Sequence, residues 1–191
     1  MLASIRLLKL FITVWILLEG HLLVHHNNIL HTYIDPSHIL LSDKYPACLS
    51  GLTSLICVAS DPNSGLCNDF PNHNYAIHPP EYFELTDERI YAGVYDIWCL
   101  GVSMFYVLYG HFPFNCDQLT HYEQLTKRSP STTEEATDGN AMSNDYVDLV
   151  QYPEISDELK DLFHQIFRPF SYNRISIEDI LVSSVVPSRR F

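Results

Sequence analysis

The sequence predicts a mainly α-helical domain with one small β-hairpin, and three observations lead there. Residues 94–109 are densely apolar (Ile97, Trp98, Leu100, Val102, Met104, Phe105, Val107, Leu108) and stop at Gly110 with Pro113 beyond, the pattern of a buried helix ended by a glycine. Two amphipathic segments close the chain. One starts at Ser156 with Leu159, Leu162, Phe163, Ile166 and Phe167 on a single face, and the other starts at Ser176 with a capping pattern to Asp179. Short apolar runs at 39–41 and 47–49 flank Asp43, Lys44, Tyr45 and Pro46, whose composition suits the turn of a hairpin.

The remaining elements follow in order. Residues 5–28 are apolar on nearly every face, which predicts a helix inside a domain. The first 18 residues also imitate a secretory leader, with Arg6 and Lys9 before the apolar run 10–18. Glu19, Gly20 and His21 stand where a small-x-small cleavage site belongs, and the nine residues of the run are too few to span a bilayer. The pattern resumes at Leu22, Leu23 and Val24, so a core helix is the preferred reading and a leader the alternative. Residues 53–80 are rich in Asn, Pro, Ser and His without a sustained period, which predicts a long loop of functional use. Residues 126–144 hold almost no large apolar side chain. They cannot repay their ordering entropy and should form a mobile insert.

Bulk properties narrow the function classes. At 191 residues with 47% hydrophobic and 18% charged side chains, one core and one domain are expected. A net charge of -12, from 23 acidic against 11 basic residues, opposes sequence-independent binding to nucleic acid or anionic membrane. Partners should be proteins. Five cysteines without a C-x-x-C pair oppose a disulfide framework and a zinc site and suit reduced intracellular thiols. Ten histidines are present without H-E-x-x-H or comparable spacing, so no metal site is expected.

Three strings carry a more specific inference. The run His31-Thr32-Tyr33-Ile34-Asp35-Pro36-Ser37-His38-Ile39-Leu40-Leu41 resembles the protein-kinase catalytic loop H-R-D-L-K-P-x-N-I-L-L. Pro79-Pro80-Glu81, followed by Asp96-Ile97-Trp98-Cys99-Leu100-Gly101-Val102, is similar to the A-P-E and D-x-W-S-x-G stretches of that family. Arg174 lies between the last two helices, where kinases keep an arginine. The resemblance implies the large, C-terminal lobe of a protein kinase-like fold over residues 5–183, with the 126–144 insert inside it and a tail at 184–191. It also implies structural roles. Glu81 and Arg174 look like a buried ion pair, and Asp96 like the helix residue that accepts backbone N–H bonds from the catalytic loop. His31, Gly51, Trp98 and Gly101 match further scaffold positions of the motifs.

The catalytic positions depart from the family pattern. Phosphoryl transfer uses a carboxylate to take the substrate hydroxyl proton, an Asn and an Asp to hold magnesium, and a lysine with a Gly-rich loop over the phosphates. Tyr33 stands at the base position, and a phenol keeps its proton at neutral pH. Asp35 replaces the phosphate-facing lysine, a charge reversal that would repel ATP. His38 stands at the Asn position. Cys48-Leu49-Ser50-Gly51-Leu52 aligns with the D-F-G region, so Leu49 replaces the metal-binding aspartate with a side chain lacking oxygen. The expectation is a pseudokinase, not an enzyme.

Ser37-His38-Ile39-Leu40, Leu49-Ser50-Gly51-Leu52 and Asn68-Asp69-Phe70-Pro71 resemble the STE20-related adaptor pseudokinases over most of residues 20–115. That resemblance implies a cytoplasmic adaptor, with the nucleus as a second compartment. It would activate a liver kinase B-type Ser/Thr kinase allosterically, together with a mouse protein 25-type scaffold. Thr32, Tyr33 and Asp35 depart from the Arg, Ser and Lys of those adaptors. Nothing before Ile5 supplies a small lobe, so that lobe is expected to be missing, and no cofactor is expected although family members bind ATP. The end, Ser188-Arg189-Arg190-Phe191, lacks the family's Trp-Glu-Phe tail. Two other readings stay open: a fragment of an active STE20-like Ser/Thr kinase, and a nonfunctional truncated product.

Overall fold

The computed structural model describes residues 29–40, 48–57, 66–67, 74–83, 90–114 and 156–182. The expected helix at 5–28, the insert at 126–144 and the tail at 184–191 lie outside the described residues. Among the described residues, six two-residue strands pair antiparallel in three ladders: β1 (Ile29–Leu30) with β4 (Ile56–Cys57), β2 (Ile39–Leu40) with β3 (Cys48–Leu49), and β5 (Leu66–Cys67) with β6 (Ile90–Tyr91). The α-helices of the described residues are α1 (Pro80–Phe83), α2 (Ala92–Tyr109), α3 (Asp157–Ile166) and α4 (Ile177–Val182). The architecture is the mainly α, kinase-like lobe with a small hairpin that the sequence predicts.

Helix α2 is the axis of the core. Tyr95, Ile97, Trp98, Cys99, Leu100, Val102, Met104 and Phe105 are all buried, so burial is not confined to one face and the helix runs through the interior. Each large side chain removed from water contributes about 1.5–3 kcal/mol. Gly110, at φ 75°, ends the helix, and its N–H returns to the Tyr106 carbonyl at 2.7 Å. A left-handed residue there turns the chain away while satisfying a terminal carbonyl.

Helix α3 is capped by Ser156, whose side chain accepts from the Leu159 N–H at 3.3 Å. Leu159, Leu162, Phe163 and Ile166 form its buried stripe at i, i+3, i+4 and i+7. That stripe meets α2 at Gly101, where an added Cβ would run into the Ile166 side chain. Glycine is therefore required for the close approach of the two helices. Trp98 stacks on Phe114 with ring centroids 5.3 Å apart and meets Phe167 edge-on at 5.3 Å, fastening both elements to α2. Ser176 caps α4 by accepting the Asp179 N–H at 3.1 Å and donating to the Asp179 carboxylate at 2.8 Å.

The hairpin forms in the register Ile39 opposite Leu49 and Leu40 opposite Cys48. The expected long loop at 53–80 requires correction, because it holds structure with no local signal. Strands β4 and β5 lie within it and pair with β1 and β6, and residues Tyr75–Ile77 form a 3₁₀ turn capped by the Asn74 side chain. A two-residue strand has no period to read, and its partner here is remote in sequence. Among the described residues, no helix is long and apolar enough to cross a membrane.

Candidate functional site

The loop from His31 to His38 is suspended from α2 by one carboxylate. Asp96, fully buried, accepts the His31 N–H at 2.7 Å and the Thr32 N–H at 2.8 Å, one on each oxygen. Bonds to an ionised acceptor are short and about twice as strong as neutral ones, so a buried aspartate can fix the path of the backbone above it. That path includes Thr32 at φ 58°, a conformation uncommon for a β-branched residue. The Thr32 hydroxyl donates to the Ser54 carbonyl at 2.6 Å.

His31 is buried and uses both ring nitrogens. Its Nδ1 accepts the Tyr33 N–H at 3.2 Å, while Nε2 lies 3.0 Å from the Ser50 carbonyl. Only the neutral ring with its hydrogen on Nε2 satisfies both contacts, since a carbonyl cannot donate. Burial lowers the His31 pKa, partly offset by the Asp96 charge and the Ser50 carbonyl, while nearby His38 lowers it further. The ring thus joins the loop to the segment after β3.

The four positions where the sequence departs from the kinase pattern sit around this framework. The rings of Tyr33 and His38 meet edge-to-face with centroids 4.2 Å apart. Gly51, at φ 84°, lies against the His38 ring, and a Cβ there would come within 2.9 Å of His38 Cδ2. The Asp35 carboxylate accepts the Ser37 N–H at 2.6 Å and caps the 3₁₀ turn Pro36–His38; only 8% exposed, it is engaged with its own backbone. Leu49 pairs with Ile39 in the hairpin and packs against the core. The His38 carbonyl receives the Ser50 N–H at 2.8 Å and the Ser50 hydroxyl at 3.1 Å, closing the base of the loop. As a chemical surface this is an aromatic and aliphatic cluster whose one carboxylate, Asp35, is turned inward.

A second polar centre is built on Val94 and Trp98 of α2. Arg174 donates to both Glu81 oxygens, at 2.7 and 3.0 Å, to the Val94 carbonyl at 2.8 Å, and to the Arg168 carbonyl at 3.2 and 3.4 Å. Its guanidinium carbon sits 4.9 Å from the centre of the Trp98 ring. The donors of the fork are thus satisfied in a planar, bidentate arrangement, which ties α1 and α2 to the turn before α4.

Sequence reasoning passed over His78 and Tyr95, which pair with each other in the interior. His78 is fully buried, its Nδ1 lies 2.6 Å from the Tyr95 hydroxyl, and its ring stacks on Tyr82 at 3.7 Å. The only available signal was adjacency: His78 precedes Pro79-Pro80-Glu81 and Tyr95 precedes Asp96. Burial holds the Tyr95 phenol well above its ordinary pKa and pushes the Cys99 thiol up as well. Cys99 donates toward the Ile77 carbonyl at 3.6 Å and is a packing residue, since a buried protonated thiol is a poor nucleophile. Among the described residues no group of three His, Cys, Asp or Glu side chains is placed to hold a metal ion.

Comparison with known proteins places this geometry. Residues 9–186 match the model of the protein kinase domain. The chain is 24% identical to a probable serine/threonine-protein kinase, iksA, of Dictyostelium discoideum, over 87% of this chain and 19% of the relative. It is 27% identical to Aurora kinase A-B of Xenopus laevis, over 86% of this chain and 34% of the relative. It is also 28% identical to STE20-related kinase adapter protein alpha of Bos taurus, over 48% of this chain and 25% of the relative. The chain thus spans about a third or less of the length of these relatives. With the domain match covering nearly all of the sequence, and the carboxylate-suspended loop and the arginine–glutamate clamp built from its motif residues, this chain belongs to the protein kinase domain family.

Proposed function

We propose that this chain is a pseudokinase of the STE20-related adaptor type, which acts by binding and not by phosphoryl transfer. Its client would be a liver kinase B-type Ser/Thr kinase, engaged together with a mouse protein 25-type scaffold. The observation that carries the reading is the contact between the Tyr33 and His38 rings at 4.2 Å. In the family pattern these two positions hold the proton-accepting carboxylate and a magnesium ligand. Magnesium takes oxygen ligands in near-octahedral geometry. Leu49 offers none, His38 offers an imidazole packed on a phenol, and Asp35 caps its own turn. These residues do not fit a magnesium–nucleotide centre.

An adaptor of this kind shifts its client only by binding the active state more tightly than the inactive one. The partial likeness to STE20-related kinase adapter protein alpha supports that class. The second reading, a piece of an active Ser/Thr kinase, draws on the wider coverage of the matches to the iksA and Aurora relatives, 87% and 86% of this chain. Two measurements separate them. Purified chain is incubated with labelled ATP, magnesium and a generic protein substrate, and tagged chain is used to recover the liver kinase B homologue and scaffold from cell extract. The adaptor reading expects no transfer above a heat-treated control and recovery of both partners. Transfer above that control favours the kinase reading, and recovery of chaperones alone marks a truncated product.

A further inference from the structure

Thr32 is the one non-glycine residue with positive φ among the described residues. It is β-branched, at φ 58° and only 2% exposed. Branched side chains avoid this region, and such conformations persist only where surrounding contacts over-determine them. Two contacts tie the loop to α2: the bonds from the Thr32 and His31 N–H groups to Asp96. The third is different in kind. The Thr32 hydroxyl donates at 2.6 Å to the carbonyl of Ser54, at the end of the separate 3₁₀ turn Leu52–Ser54. Two more links cross the same seam, His31 Nε2 to the Ser50 carbonyl at 3.0 Å and the Ser50 N–H to the His38 carbonyl at 2.8 Å.

We propose that Thr32 is a positioning residue, a latch that holds residues 50–57 against the loop in one arrangement without any phosphate group. In protein kinases the segment after the hairpin is commonly ordered by phosphorylation, through arginine–phosphate pairs. Thr32 stands where the catalytic-loop motif has its arginine. It carries no positive charge to receive a phosphate, and its burial leaves a bound phosphate no access. Its hydroxyl bonds the backbone of the segment directly. The turn that displays Leu52, 57% exposed, and Leu55, 36% exposed, is thereby held in a fixed form whatever the modification state of the protein. The latch requires only the fold and stands whether or not the chain has a client kinase.

Hydrogen–deuterium exchange on the whole chain tests it, with Thr32→Val deleting the donor at constant shape and Thr32→Ser retaining it. Loss of one hydrogen bond of ordinary net strength predicts exchange about fivefold faster over residues 50–57. Residues 97–105 of α2 should be unchanged, and Thr32→Ser should exchange at the wild-type rate. Equal exchange in Thr32→Val and wild type overturns the latch, as does a rise shared equally with α2, which would make Thr32 a residue of general stability. A second measurement needs no variant. Wild-type protein purified from eukaryotic cells should keep its protection over 50–57 after phosphatase treatment, and a drop in that protection overturns the proposal.

Discussion

The clamp around Arg174 and the loop around Tyr33 are both anchored to α2 and differ in what their side chains do. At the clamp, the guanidinium is matched to two carboxylate oxygens and two backbone carbonyls, and its partners come from remote segments. At the loop, the Tyr33 and His38 rings meet edge-to-face, and Asp35 satisfies its own turn. Removing a member of the clamp strands a buried charge, whereas removing a ring from the loop exposes a partly solvated neighbour. A protein can therefore keep the polar framework of a fold while the residues at its chemical positions change, because the two sets draw on different interactions.

The comparison can be broken most directly at the clamp. Arg174→Met should leave Glu81, whose side chain is 13% exposed, without its partner and destabilise the chain by up to about 3 kcal/mol, read by urea denaturation. A loss under about 1 kcal/mol would show that the pair is not a structural anchor. Asp96→Asn keeps the shape but turns an amide N–H toward the donors of His31 or Thr32. Loss of a charge-assisted bond and the unsatisfied donor together should cost about 2–3 kcal/mol, with faster amide exchange at His31 and Thr32 as the local signature.

Gly101→Ala drives a methyl group into Ile166 and should cost about 1–3 kcal/mol as overpacking. Adding Ile166→Val should return part of it, and strict additivity of the two changes would deny the contact. Tyr33→Ala removes one edge-to-face ring contact and should cost only about 0.5–1.5 kcal/mol; a cost equal to that at Arg174 would erase the distinction between the two regions.

The smallest effect is a pH slope. The folded His31 pKa lies below its ordinary 6.5, so the unfolded chain takes up this proton first as the medium acidifies. The stability contributed by neutral His31 is complete above that value and is lost as pH falls from there toward the lowered folded pKa. Wild type minus His31→Gln, measured by denaturation between neutral and mildly acidic pH, should isolate this decline. A flat difference would show that the ring is not held neutral by its burial.

The helices were legible because their causes are local. The apolar run ending at Gly110, the i, i+3, i+4, i+7 stripe after Ser156 and the Ser176–Asp179 cap each lie within a few turns of chain, and each maps to a helix. The hairpin was legible for the same reason, having a turn composition between two apolar runs. Strands β4 and β5 were not, since two residues carry no period and their pairing depends on β1 and β6. At the site, the motif strings named Asp96, Glu81 and Arg174, but nothing in them announced that the Thr32 hydroxyl would reach Ser54, or that His78 would meet Tyr95. Those contacts join segments with no repeated spacing between them.

By itself, then, the sequence determined where α2 and α3 lie, which residues carry the kinase motifs, and which side chains stand at the chemical positions, because each is a matter of residue identity and short-range pattern. Only the tertiary structure decided the conformations and contacts at those positions. It set Thr32 in a left-handed conformation bonded to Asp96, turned Asp35 onto its own backbone and packed Tyr33 on His38. The physical reason is that burial and hydrogen bonding between segments remote in sequence over-determine local geometry that no neighbouring residue specifies.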